Sequence, residues 1–224
     1  MDSIVAQKRA AGEAAVDRFV RDGMCVGLGT GSTAYWAVNR VGELIAAGAQ
    51  LTAIATSTAT ERQCRELGIP LVAFLERDID VAIDGADEVA ADRSLTKGGG
   101  GALFREKCVA LAAARFVVVV DESKIVDKLG AFPTPVEVVP FALAWVRREI
   151  VSFAPHAAIA LRGGAEPFAT DNGNRILDCH FGTIDDPREL EAELRVIHGV
   201  VDVGIFVDLT DDIIVAGTAG IRTI

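Results

Sequence analysis

The residues of this chain best suited to chemistry sit in three short stretches. The first is GLGTGST, residues 27–33. A glycine-rich turn that leaves a strand and opens a helix presents backbone N–H groups and a helix N-terminus to an anion. A dinucleotide fingerprint requires a third glycine where Ser32 stands, so the turn fits a dinucleotide poorly. The hydroxyls of Thr30, Ser32 and Thr33 suit a single phosphate group instead, and a tight turn with capping hydroxyls and no ligand is the other reading. The second stretch is DIDVAIDGADEV, residues 78–89. Ile79, Val81 and Ile83 alternate as in a strand, and Asp84 and Asp87 follow at its carboxyl end. Ligands of open α/β sheets bind beyond the carboxyl ends of the strands. Two carboxylates there can hold sugar hydroxyls or move protons. The structural alternative is that Asp84-Gly85 makes a turn and Asp87 caps a short helix. No histidine lies nearby in the sequence to complete a transition-metal site, while Mg²⁺ stays open.

The third stretch is KGGGGALFREK, residues 97–107. Glycine loses more backbone freedom on folding than any other residue. A run of four is worth that cost where a side chain would collide with a ligand. Lys97 precedes the run and Glu106 follows it, early in the next helix. On that helix Phe104, Cys108 and Leu111 fall at i, i+4 and i+7 and are expected to face the core. Glu106 is then about 200° round the helix from Phe104, which reads as a surface carboxylate unless the loop turns it towards a crevice. Lys8, in an N-terminal helix, and Lys124, in DESK, each read as solvated when taken alone. His156, His180 and His198 show no ligand spacing, and Phe104, Trp36 and Trp145 read as core or interface residues.

These stretches need elements to hold them. Strands are expected at 24–28, 51–55, 71–74, 79–83 and 116–120, alternating with helices at 33–47, 58–67 and 102–114. Thr58 and Glu61 form a capping-box pattern for the second of those helices. FVVVV is apolar throughout, as in a strand covered on both faces. Alternating βαβα order implies a mostly parallel, doubly wound sheet. Beyond Gly130 the order is strand 136–139, helix 141–153, strand 157–161, a hairpin signal at Asn172-Gly173, strand 175–181, a helix opened by Asp186-Pro187, and strand 200–207. That is βαββαβ, the ferredoxin-like arrangement. One further strand near the end returns to the first sheet. The expected fold class is therefore α/β. A discontinuous Rossmann-like domain, 1–130 plus 207–224, carries an inserted ferredoxin-like α+β domain, 131–206.

Composition narrows the function. The chain has 224 residues, half of them hydrophobic, with a formal net charge of −10. An acidic protein is a poor partner for nucleic acid or an anionic membrane. It can still hold one phosphate through local lysines and helix N-termini. The four cysteines, Cys25, Cys64, Cys108 and Cys179, are far apart and fit reduced thiols in a cytoplasmic protein. The opening residues lack the apolar core of a signal peptide, and no apolar run has the length of a membrane span.

Together the motifs closely resemble those of type A ribose-5-phosphate isomerases. The resemblance is carried by GLGTGSTA (27–34), TSTATERQCRELGIPL (56–71), DVAIDGADEV (80–89), KGGGGALFREK (97–107), VVDESK (119–124), PVEVVPFA (135–142), TDNGNRILD (170–178) and HGVVDVGIF (198–206). It implies interconversion of D-ribose 5-phosphate and D-ribulose 5-phosphate in the pentose phosphate pathway, no metal or organic cofactor, and a homodimer or homotetramer. It makes Glu106 the general base, with Asp84, Asp87 and Lys97 lining the sugar. It implies substrate contacts from Thr30, Gly31, Ser32 and Thr33, from Asp84, Gly85, Ala86 and Asp87, and from Lys97, Gly98, Gly99 and Gly100, with Lys124 and Lys8 assisting. The family often has alanine where Gly101 stands and threonine where Phe104 stands. Competing readings are an amino-sugar-phosphate deaminase or isomerase, a non-catalytic sugar-phosphate sensor and a nicotinamide dehydrogenase; Ser32 counts against the last.

Overall fold

A computed structural model describes residues 3–224. Two compact units are present. One holds the residues through Ala86 with Arg105–Lys124 and Leu209–Ile224; the other holds Asp87–Phe104 and Ile125–Asp208.

The first unit is built on six strands in the order Gly220–Thr223, Asp212–Gly217, Phe116–Asp121, Val81–Asp84, Cys25–Leu28, Thr52–Ala55. All neighbours pair in parallel except the hairpin between Asp212–Gly217 and Gly220–Thr223. Phe116–Asp121 lies mid-sheet and is buried along its whole length, as its unbroken apolar run requires of a strand covered on both faces. The helix Ser3–Phe19 packs small residues, Ala11, Ala15 and Val16, into one core with Val26, Leu28, Ile83, Val119 and Ile214. Three details differ from the sequence reading. Residues 71–74 form no strand, only a bridge from Leu71 to Ala53, because Phe74 and Leu75 are exposed and offer a sheet no buried face. The near-terminal stretch makes two strands rather than one, joined at Thr218-Ala219. The helix Thr58–Glu66 is capped by Ser57, not Thr58: the Ser57 Oγ accepts from the Thr60 N–H at 3.1 Å.

The second unit holds an antiparallel sheet in the order Val200–Val203, Thr134–Val138, Arg175–His180, Ala158–Leu161. With helices Leu143–Phe153 and Pro187–Arg195 this is the βαββαβ order read from the sequence. Asp186 caps the second helix, accepting from the Glu189 N–H at 3.0 Å. Asn172-Gly173 closes no two-residue hairpin; it is a turn at the end of the long connection from Leu161 to Arg175. The strand expected over 200–207 breaks at Gly204. Its second part, Ile205–Phe206, joins Leu95–Thr96 and Glu88–Val89 in a separate three-stranded sheet. Two-residue strands carry no periodicity, so this sheet has no sequence signal.

Glu88, 3% exposed, fastens that small sheet. Its carboxylate accepts from the Thr96 hydroxyl at 2.8 Å and from the N–H groups of Gly130 at 3.1 Å and Phe132 at 2.8 Å. Removing the carboxylate strands one buried donor and two part-buried ones. Glu88→Ala is expected to cost about 3 kcal/mol, read as a lower denaturation midpoint; an unchanged midpoint refutes the role. Burial also pushes the thiols of Cys64 and Cys179 up to about 11 and about 12. Both are therefore protonated at pH 8, and thiolate is the reactive form. Alkylation of the native protein at pH 8 should spare both, and denaturant should expose both to labelling.

Candidate active site

Parallel strands place their carboxyl ends along one edge of the sheet. The chain leaves Cys25–Leu28 towards Thr52–Ala55 on one side, while Val81–Asp84 lies on the other. This is the topological switch point, where a crevice opens between strand ends. The turn at 29–33 and Asp84 both lie there. Asp84, 3% exposed, accepts from the Thr30 N–H at 3.0 Å and the Gly85 N–H at 2.7 Å, both through Oδ1. The carboxylate approaches so closely that a Cβ on Gly29 would stand 2.0 Å from Oδ1. Glycine is required at 29 for that reason.

The Thr30 hydroxyl is engaged by other hydroxyls of the protein. Its Oγ1 lies 2.8 Å from the Thr56 Oγ1 and donates to the Ser57 Oγ at 2.7 Å. Thr60 completes the cluster by donating to the Gly29 carbonyl at 2.8 Å. TSTAT, residues 56–60, therefore supports the loop, a role that the sequence reading did not give it. Its only signal was a high density of hydroxyls. Gly31, Ser32 and Thr33 lead into the helix Ala34–Ala46, whose N-cap Thr33 makes no side-chain capping bond. Ser32 is exposed, and its Oγ accepts from the Lys8 Nζ at 3.0 Å. Lys8 is thus brought to the loop, and Lys124 ends a short 3-10 turn after Phe116–Asp121, at the same edge of the sheet.

Glu106 occupies the first turn of the helix Leu103–Ala112, where the helix dipole favours a negative charge. The stripe expected to face the core does not: Leu111 is 63% exposed, and Phe104 and Cys108 are half-buried. The buried stripe is Leu103, Glu106, Lys107 and Ala110, spaced i, i+3, i+4 and i+7. Glu106 is 4% exposed, so the surface reading of this glutamate is overturned. The periodicity of apolar letters had selected the wrong face because two charged residues belong to the buried one.

In the second unit Lys97 is 2% exposed, with its ammonium 5.5 Å from the Phe206 ring centroid. Its N–H donates to the Gly204 carbonyl at 2.8 Å, and the Gly204 N–H donates to the Pro135 carbonyl at 2.7 Å. The break at Gly204 is therefore what anchors Lys97. Asp87 does not cap a helix. Its N–H donates to the Thr96 carbonyl at 2.8 Å, and its Oδ2 accepts from the Gly99 N–H at 2.7 Å. Gly98 to Gly101 form a turn closed by the Gly101 N–H on the Gly98 carbonyl at 2.9 Å. Gly101 has a φ of +81°, and a Cβ there would stand 2.5 Å from the Phe168 ring. The fourth glycine is thus fixed by backbone conformation and by Phe168 together. Gly85 and Ala86 link Asp84 to Asp87 along the chain. Among the described residues no three His, Cys, Asp or Glu side chains are gathered as a metal site, and no helix is long and apolar enough to cross a membrane.

Comparison with known proteins identifies the family. A family model described as ribose 5-phosphate isomerase A (phosphoriboisomerase A) matches residues 52–220. The ribose-5-phosphate isomerase A of Sphingopyxis alaskensis is 47% identical over 217 residues, covering 96% of this chain and 94% of that protein. The solved structure of ribose 5-phosphate isomerase A from Methanocaldococcus jannaschii matches with a TM-score of 0.92 at 41% identity, over 98% of both chains. A D-ribose-5-phosphate isomerase solved in complex with phospho-erythronic acid matches with a TM-score of 0.94 at 39% identity, over 99% of this chain and 98% of the other. Matched along nearly its whole length in sequence and in fold, the chain belongs to the ribose 5-phosphate isomerase A family.

Proposed function

We propose that this protein interconverts D-ribose 5-phosphate and D-ribulose 5-phosphate, a reading supported by relatives named as ribose-5-phosphate isomerases. The observation that carries the reading is the placement of Glu106, a carboxylate on the buried stripe of its helix where a surface glutamate was the ordinary expectation. Isomerisation moves a proton from C2 of the open-chain aldose to C1. It needs a base for that proton and partners for the charge that develops on oxygen. Glu106 takes the proton from C2, leaving an enediolate, and returns it to C1. A base of this kind contributes about 10²–10⁴-fold to the rate.

Lys97 and the glycine turn stabilise the oxyanion. The Gly99 N–H is held by Asp87, so the donor role among the glycines falls to Gly98 and Gly100. Asp84 Oδ1 already serves two backbone N–H groups. We therefore read Asp84 as the residue that positions the loop and the sugar, and Asp87 as the one that moves a hydroxyl proton and assists ring opening. Gly31, Ser32 and Thr33 with the N-terminus of Ala34–Ala46 receive the phosphate, assisted by Lys8 and Lys124. Remote binding of that group supplies energy for placing the reacting carbons. Phospho-erythronic acid, held by one relative, supports this. A carboxylate on a phosphorylated four-carbon chain offers two oxygens and a negative charge, as an enediolate does.

A coupled assay with ribose 5-phosphate tests the reading. The unaltered protein should isomerise it, with no loss on chelator treatment. Glu106→Gln should retain substrate binding and lose about 10²–10⁴-fold in kcat. Near-normal turnover in that variant removes Glu106 from the role, and inhibition by chelator revives a metal bound through Asp84 or Asp87. Release of ammonia from glucosamine 6-phosphate would favour a deaminase instead.

The same reading places the protein in the cytoplasm as a homodimer or homotetramer, in the pentose phosphate pathway. An apolar face supports self-association. Phe141 is fully exposed and, with Val139 and Trp145, lines a surface cavity of about 550 Å³; such patches mark association sites. Sedimentation velocity should show a mass at least twice that of one chain, and a monomer at micromolar concentration refutes this part.

A further inference from the structure

A run of glycines has no side chains with which to hold its own conformation, so something outside it must do so. Arg162 does this in the second unit. It follows directly on the strand Ala158–Leu161, and its own N–H donates to the Ile176 carbonyl at 2.9 Å. Asp178, opposite Ala160 on the neighbouring strand, grips the guanidinium through two bonds, from Nε at 3.0 Å and from Nη2 at 2.5 Å. The remaining nitrogen, Nη1, donates to the Gly98 carbonyl at 2.8 Å and the Gly99 carbonyl at 3.2 Å. Phe168 packs beside it, with the guanidinium carbon 5.9 Å from the ring centroid. The same ring abuts Gly101. The Arg162 side chain is only 17% exposed, and its bonds to Asp178 and to the Gly98 carbonyl are part-buried, which strengthens charge-assisted bonds relative to open water.

We propose that Arg162, oriented by Asp178, is a positioning residue for the isomerisation. It fixes the peptide planes of the glycine turn and polarises them towards the reacting oxygen. The inference rests on the function proposed above. A peptide is a conjugated unit, so a cation on its carbonyl makes its N–H a stronger donor. The Gly98 carbonyl belongs to the same peptide as the Gly99 N–H, which Asp87 accepts. The Gly99 carbonyl belongs to the same peptide as the Gly100 N–H. One guanidinium therefore tightens the hold on Asp87 and sharpens the Gly100 donor, while never touching the substrate itself. Lysine could supply the charge but not the fork that reaches Asp178 and both carbonyls at once.

The test compares the unaltered protein with Arg162→Lys and Asp178→Asn, each first shown to be folded by circular dichroism and thermal melting. Steady-state kinetics with ribose 5-phosphate are read beside inhibition by phospho-erythronic acid and by inorganic phosphate. Loss of positioning should lower kcat by about 10- to 100-fold. It should weaken phospho-erythronic acid by a similar factor and leave KM and phosphate inhibition within about threefold, since only interactions made to the developing charge are lost. In Arg162→Gly, added methylguanidine should restore part of the lost kcat. Turnover within about twofold of the unaltered protein in both folded variants overturns the inference. So does a parallel weakening of phosphate and carboxylate inhibition, which would mark a general loosening. An unaltered protein that fails to isomerise ribose 5-phosphate would instead remove the underlying function.

Discussion

One carboxylate oxygen fastens the strand ends on which the first half of the candidate site is built. At the switch point the chain runs to opposite sides of the sheet, and beyond the bond from the Gly29 N–H to the Ile83 carbonyl at 3.0 Å a side chain must tie the two departing loops together. Asp84 Oδ1 does so, accepting N–H groups from Thr30 and Gly85. Charge-assisted bonds of this kind contribute roughly 1.5–3 kcal/mol each. The constraint propagates outward. Gly29 must lack a side chain because the carboxylate occupies its Cβ position. Thr30, fixed at its N–H, turns its hydroxyl to Thr56 and Ser57. The following helix then starts where its N-terminus can face an anion.

The second unit solves the same problem for a loop of glycines. Its backbone is gripped from both sides of its peptide planes: Asp87 takes an N–H and Arg162 takes two carbonyls. A glycine run is costly to order, and these anchors offset the cost, Arg162 without touching a substrate. Gly204 plays a corresponding part for Lys97, holding its backbone where one strand ends and another begins. The residues with the chemistry are thus few, and each is held by partners elsewhere in the sequence.

The sequence made the long elements legible. FVVVV could only be a covered strand, and Asp186-Pro187 opened a helix as its chemistry requires. The parallel sheet and the βαββαβ order followed from the succession of such segments. Errors arose where local pattern was ambiguous or absent. Ser57 and Thr58 are both competent caps, and only the position of the Thr60 N–H selects Ser57. The apolar letters at 71–74 matched a strand, but no sheet covers Phe74 or Leu75. The three-stranded sheet consists of two-residue strands, too short for any period to show.

The candidate site divides along the same line. The types of Asp84, Asp87, Lys97, Glu106 and the loop at 30–33, and the placing of Asp84, Asp87 and that loop at strand ends, were determined by the sequence and by its resemblance to a family. The burial of Glu106 was not, because a helix buries whichever face its neighbours cover, and that face here includes Glu106 and Lys107 in place of Leu111. Nor were the partners of Thr30 and of the glycines: Ser57, Thr60 and Arg162 lie between 27 and 64 residues away along the chain. Residue type and spacing act over a few positions of one element. Hydrogen bonds to a loop's backbone depend on which distant strands the fold sets beside it, and only the tertiary structure decides that.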